Sequence, residues 1–154
     1  GRGSVSLDYD NDGDLDLFVV NQRPVYDLSS RGVVVKSKLY KNVSKNDNNW
    51  LKIKLNGTSS TTRGLGARVK LVIGNLSLIR EVDGGSSHAS QNSSIVHFGL
   101  AKNKMIDSLI VTWPGGKTQY VLNQTPNCLL EIQENTLEEK TFSQKIFDFF
   151  SLNY

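Results

Sequence analysis

Five aspartates at alternate positions, Asp8, Asp10, Asp12, Asp14 and Asp16, enclose Gly13 near the start of this chain. No other feature limits its folding as strongly. Carboxylates held this close repel one another unless something neutralises them. Calcium suits the task, being a hard cation that takes about six to eight oxygen ligands. In loops of this kind the side chains at the first, third and fifth positions face the ion and the seventh offers its backbone carbonyl. Those positions are Asp8, Asp10, Asp12 and Asp14, with Asp16 supplying the last carboxylate. An EF-hand would add a glutamate at the twelfth position, where this chain has Val19. The flanks, Val5 and Leu7 before and Leu15, Leu17, Phe18, Val19 and Val20 after, are β-rich. The segment is expected to be a strand–loop–strand hairpin closed by calcium.

Three other readings are weaker. A solvated acidic turn does not account for five alternating aspartates around a glycine. Magnesium keeps more of its waters and demands stricter geometry. A catalytic carboxylate pair needs surroundings that separate two pKa values, whereas five clustered acids make a cation cage.

The rest of the chain reads as short strands between turn residues. Expected strands lie near 4–7, 14–20, 39–42, 51–55, 67–73, 76–82, 94–98, 107–113, 117–122 and 128–133. Gly74-Asn75 and Pro114-Gly115-Gly116 mark hairpin turns. Leu51-Lys52-Ile53-Lys54-Leu55 alternates, which places the aliphatics on one face and the lysines on the opposite, solvent-facing side. A polar break at 45–49 suggests a boundary. The expected architecture is all-β, with the calcium hairpin in residues 1–49, a β-sandwich-like domain at 50–134 and a tail at 135–154. In that tail Thr136-Leu137-Glu138-Glu139 has capping-box form, and Phe142, Ile146, Phe149 and Phe150 fall near one face of a short helix.

No apolar run approaches a membrane span. The opening Gly1-Arg2-Gly3 reads as the start of a C-terminal piece of something longer. Cys128 is the one cysteine, so no intrachain disulfide forms, and it sits among leucines as core filler. Five Asn-x-Ser/Thr sequons, beginning at Asn42, Asn56, Asn75, Asn92 and Asn123, suit a secreted protein. From Trp50 to Arg80 the charges are Lys52, Lys54, Arg63, Arg68, Lys70 and Arg80, with no acid among them. That is a solvated strand face or a surface for acidic glycans. No nucleic-acid-binding signature accompanies it.

His88, His97 and Cys128 lack the spacing of a zinc site. No Gly-x-Ser-x-Gly elbow is present, and Arg63-Gly64-Leu65-Gly66 lacks the Lys-Ser/Thr of a phosphate loop. The glycines there are expected to turn the backbone. Trp113 and Trp50 could each fill a core or offer a flat ring to a sugar, the core being the expectation, and His97 is expected to make a structural hydrogen bond. A concave pocket holding His88 or His97 beside a carboxylate would speak for an enzyme, and none is expected.

In order along the chain, several stretches resemble known families. The Asp-rich loop, Leu15-Asp16-Leu17-Phe18-Val19-Val20-Asn21 and Leu39-Tyr40-Lys41-Asn42 resemble an FG-GAP/VCBS repeat. Asn49-Trp50-Leu51-Lys52-Ile53-Lys54-Leu55, Arg63-Gly64-Leu65-Gly66-Ala67-Arg68-Val69, His97-Phe98-Gly99-Leu100 and Val111-Thr112-Trp113-Pro114-Gly115-Gly116 resemble the ASPIC/UnbV domain. The first resemblance implies a propeller blade with calcium in its hairpin. The second implies an extracellular, secreted or periplasmic module for adhesion or interaction, at the C-terminus of a larger propeller protein. The expected function is therefore calcium-dependent binding of a protein or glycan partner without catalysis. A module for acidic polysaccharides is the alternative, and a hydrolase a more distant one.

Overall fold

The computed structural model describes residues 3–21, 35–44, 46–85 and 90–135. The described residues form ten strands and no helix. These are β1 (Gly3–Leu7), β2 (Asp16–Val20), β3 (Lys38–Tyr40), β4 (Asn49–Asn56), β5 (Arg68–Ile73), β6 (Leu76–Glu81), β7 (Val96–Ala101), β8 (Ile106–Thr112), β9 (Thr118–Gln124) and β10 (Cys128–Gln133). The expected tail helix and His88 lie outside the described residues.

Three sheets result. The first is a small antiparallel meander, β1-β2-β3, in which Val5 faces Phe18 and Phe18 faces Leu39. The second has the order β10-β4-β7 and the third β6-β5-β8-β9. Strand β4 pairs parallel with β10, the last described strand, and antiparallel with β7. A parallel pairing between strands so far apart in the chain ties the end of the domain to its beginning.

The second and third sheets share one core, which makes them the two layers of a sandwich. Period-2 alternation sends Leu51, Ile53 and Leu55 of β4 and Val96, Phe98 and Leu100 of β7 inward. Val69 and Leu71 of β5 and Leu109 and Val111 of β8 meet them from the other layer. Trp113 follows β8 into this core, as expected, and its indole N–H donates to Gln119 Oε1 at 3.3 Å. Each such side chain contributes about 1.5–3 kcal/mol through apolar burial.

The glycine run before β5 does turn the chain. Gly64 has φ +65°, and its N–H donates to the Thr61 carbonyl at 2.7 Å. A Cβ there would lie 2.7 Å from Leu55 Cβ.

Two expectations need correction. The first is a matter of strand bounds: 14–20 begins at Asp16 because Asp14 and Leu15 belong to the loop, 39–42 ends at Tyr40, and 94–98 runs instead from Val96 to Ala101. The second concerns Lys52, which is not solvent-facing but only 7% exposed. Alternation put it on the outer face of β4 correctly. That face, however, is covered by the β1–β2 loop.

Candidate metal centre

The loop between β1 and β2 carries the aspartates, and its backbone organises them. Asp8 Oδ2 accepts the Gly13 N–H at 3.1 Å, folding the loop back on its start. Asp16, 2% exposed, accepts the Tyr9 N–H at 3.1 Å and the Asn42 N–H at 2.7 Å. One residue thus fixes the loop to the end of β3. Asn11 (φ +61°) and Gly13 (φ +94°) supply the left-handed backbone that the reversal requires.

Asp8, Asp10 and Asp16 each bring a carboxylate oxygen within 4.8 Å of the others. Asp12 and Asp14 stand outside this trio. Asp12 Oδ1 accepts the Asp14 N–H at 3.0 Å, and its Oδ2 lies 3.5 Å from Lys41 Nζ. The Asp14 carboxylate faces Asn46. Lys41 also donates to Asp10. That hydrogen bond holds the Asp10 carboxyl below the usual range and raises the Lys41 ammonium in return.

Asp8 is the informative member. Its side chain is only 2% exposed, and Oδ1 is buried with no hydrogen-bond partner among the described residues. A buried carboxylate oxygen left unpaired is costly, and a bound ion is one arrangement that satisfies it. The donor set is all oxygen, which matches a hard cation such as calcium.

The sandwich closes the other side of the loop. Lys52 Nζ donates to Asp8 Oδ2 at 2.8 Å and to Asn11 Oδ1 at 2.9 Å, and lies 5.0 Å from the centre of the Trp50 ring. His97 Nε2 donates to the Gly13 carbonyl at 2.8 Å, the structural bond expected for it. Its ring stacks with Trp50, with centroids 6.5 Å apart and planes 14° apart. Trp50 is therefore half-buried under the loop. The Ser6 N–H donates to Asn92 Oδ1 at 3.2 Å. None of these partners was expected from the aspartate spacing, because each is distant in the chain and only the fold brings it to the hairpin.

Beside this contact lies a cleft of about 470 Å³ whose lining includes Asp8, Lys52, Arg80, Asp83, Ser93 and His97. A concavity holding His97 near carboxylates thus exists, contrary to expectation. Its His97 bonds to a backbone carbonyl, not to a carboxylate, serine or cysteine, among the described residues.

Three of the basic residues of 50–80 are neutralised by acids in separate places. Lys52 is buried against Asp8, and Lys54 pairs with Glu131 at 3.1 Å on the outer face of its layer. Arg68 pairs with Glu81 at 3.2 Å on the opposite layer of the sandwich.

A second carboxylate cluster of contacts lies away from the loop. Glu134, 3% exposed, accepts the N–H groups of Thr58, Ser59 and Ser60 at 2.8, 3.0 and 2.8 Å, and the hydroxyls of Ser59 and Ser60. Burial alone would raise its pKa. The hydrogen bonds outweigh that effect and hold the carboxyl down at about 2.

The family model described as ASPIC and UnbV matches residues 57–139. Cartilage acidic protein 1 of Homo sapiens is 30% identical over 146 residues, which cover 90% of this chain and 21% of the relative. The Xenopus tropicalis protein of the same name is 31% identical over 135 residues, covering 86% and 19%. That of Mus musculus is 29% identical over 143 residues, covering 91% and 21%. The chain therefore spans about a fifth of the length of these curated relatives.

Proposed function

This chain belongs to the ASPIC and UnbV family, whose model spans more than half of it, and we propose that it is a calcium-stabilised, non-catalytic interaction module of a larger extracellular protein. The single observation that carries the calcium reading is the buried, unpartnered Oδ1 of Asp8 beside the Asp8–Asp10–Asp16 trio. Calcium would supply charge neutralisation and oxygen coordination there, drawing on those three carboxylates. Asp12 and the Asp14 carbonyl would complete the set expected from the loop spacing.

Binding instead of catalysis is favoured by the use of the site's groups. Lys52, His97 and Trp50 are spent on holding the loop to the sandwich. The propeller context rests on the FG-GAP/VCBS resemblance of β1, the loop and β2–β3. Secretion is supported by the five sequons and by the cartilage in the relatives' names. An acidic-polysaccharide module draws little on the 50–80 basic residues, since Lys52, Lys54 and Arg68 each pair with an acid and they are divided between the two layers.

Thermal melting with and without chelator tests the calcium reading. At a hundredfold excess of calcium over Kd the ion stabilises by about 2.7 kcal/mol, roughly 8 °C in Tm for a chain of this size. Chelator should remove that increment from the native chain and leave Asp10→Asn nearly unchanged. Identical melting of the native chain in calcium and in excess chelator would refute the reading.

A further inference from the structure

We infer that Lys52, a residue of the sandwich, is a positioning residue for the cation site of the hairpin, so that calcium binding and docking of the loop on the β4–β7 face are coupled. This rests on the calcium reading above. Asp8 divides its carboxylate between two tasks. Oδ2 takes the Lys52 ammonium and the Gly13 N–H, while Oδ1 is buried without a partner. With Oδ2 fixed from the sandwich side, the orientation of the carboxylate, and hence the place of Oδ1, is set before any ion arrives. Lys52 is itself 7% exposed and also holds Asn11, so it fixes the loop at two points. His97 holds a third through the Gly13 carbonyl, and Asn92 holds the preceding strand β1 through the Ser6 N–H.

The two processes therefore share atoms. An undocked loop loses the Lys52 contact, and Asp8 becomes free to rotate away from Asp10 and Asp16. A docked loop without an ion leaves a desolvated oxygen unsatisfied. Calcium relieves the second cost and so favours docking, and linkage requires docking to tighten calcium by the same factor. The consequence is a cation that sets how the hairpin sheet sits on the sandwich.

Calcium chloride titrations followed by calorimetry and by Trp50 emission in a Trp113→Phe background test this. In the native chain the emission change is expected to share its midpoint with the calorimetric isotherm, because the loop bearing the site covers Trp50. Lys52→Met is expected to weaken calcium about tenfold, and Lys52→Arg to recover most of the loss. A merely structural lysine would lower the Tm without moving Kd. Should Lys52→Met fail to fold, His97→Leu carries the test, with a several-fold weaker Kd expected from loss of the Gly13 contact. Native-like Kd in folded Lys52→Met, or in His97→Leu where Lys52→Met does not fold, would overturn the coupling while leaving the calcium site standing. No calcium binding by the native chain would overturn both.

Discussion

Gly13 shows how tightly loop and sandwich fit. Its Cβ would be 1.9 Å from Trp50 Nε1, and its φ is +94°. Gly13→Ala therefore has to push the indole aside and adopt a disfavoured backbone, at a combined cost of about 2–4 kcal/mol. Denaturant unfolding should show a lower midpoint with an altered Trp50 signal. Lys52 is held as tightly by electrostatics. With the Lys52 side chain 9% exposed and that of Asp8 2%, Lys52→Ala strands a buried carboxylate and should cost about 3–5 kcal/mol. Lys41 behaves differently. Both lysines place a positive charge beside a carboxylate of the trio, but Lys41 is exposed and fixes no buried carboxylate. Its main effect is to oppose an incoming cation, whereas the buried Lys52 acts chiefly by holding Asp8 in place. Lys41→Met should tighten calcium a few-fold in a binding isotherm.

At the scale of elements, Glu134 fastens the end of β10 to the loop that follows β4. Its folded pKa of about 2 lies below the ordinary 4.5. The stabilisation is therefore complete above the unfolded value and is lost as pH falls from about 5 towards 2. Glu134→Gln should flatten that part of the stability–pH profile, measured by urea unfolding at several pH values. At neutral pH the same change should cost about 1–3 kcal/mol, since the backbone donors of Thr58, Ser59 and Ser60 lose a charged acceptor. Neither this cluster nor the Lys52 contact is legible in the sequence, although most strands are. Leu51, Ile53 and Leu55, or Val69 and Leu71, announce their strand by period-2 alternation, a local signal. Alternation reports which face a residue takes but not what covers that face, and so Lys52 reads as solvated. The parallel β4–β10 pair and the Glu134 contacts link residues more than seventy positions apart, beyond the reach of local pattern. The aspartate ladder marks the loop plainly. It does not reveal that Asp8, Asp10 and Asp16 converge while Asp12 and Asp14 bond elsewhere, because hydrogen bonds within the turn make that selection.

At the scale of the whole molecule, a small sheet carrying an acidic loop lies against one layer of a sandwich, and the candidate metal centre adjoins the contact. The sandwich has its own core, and none of the aspartates of the loop is part of it. The hairpin sheet is only three strands, with Leu17, Leu39 and Tyr40 exposed, too little on its own for independent stability. Calcium removal is accordingly expected to loosen β1–β3 before the sandwich, seen as faster hydrogen exchange at Val5 and Phe18 than at Val69 and Val111. The most direct test of the central claim is a crystal structure of the chain grown in calcium. The expected result is one ion bonded to Asp8, Asp10 and Asp16 at about 2.3–2.6 Å, with Asp8 Oδ1 among its ligands. A loop still folded against Lys52, with no ion between these carboxylates at saturating calcium, would contradict it.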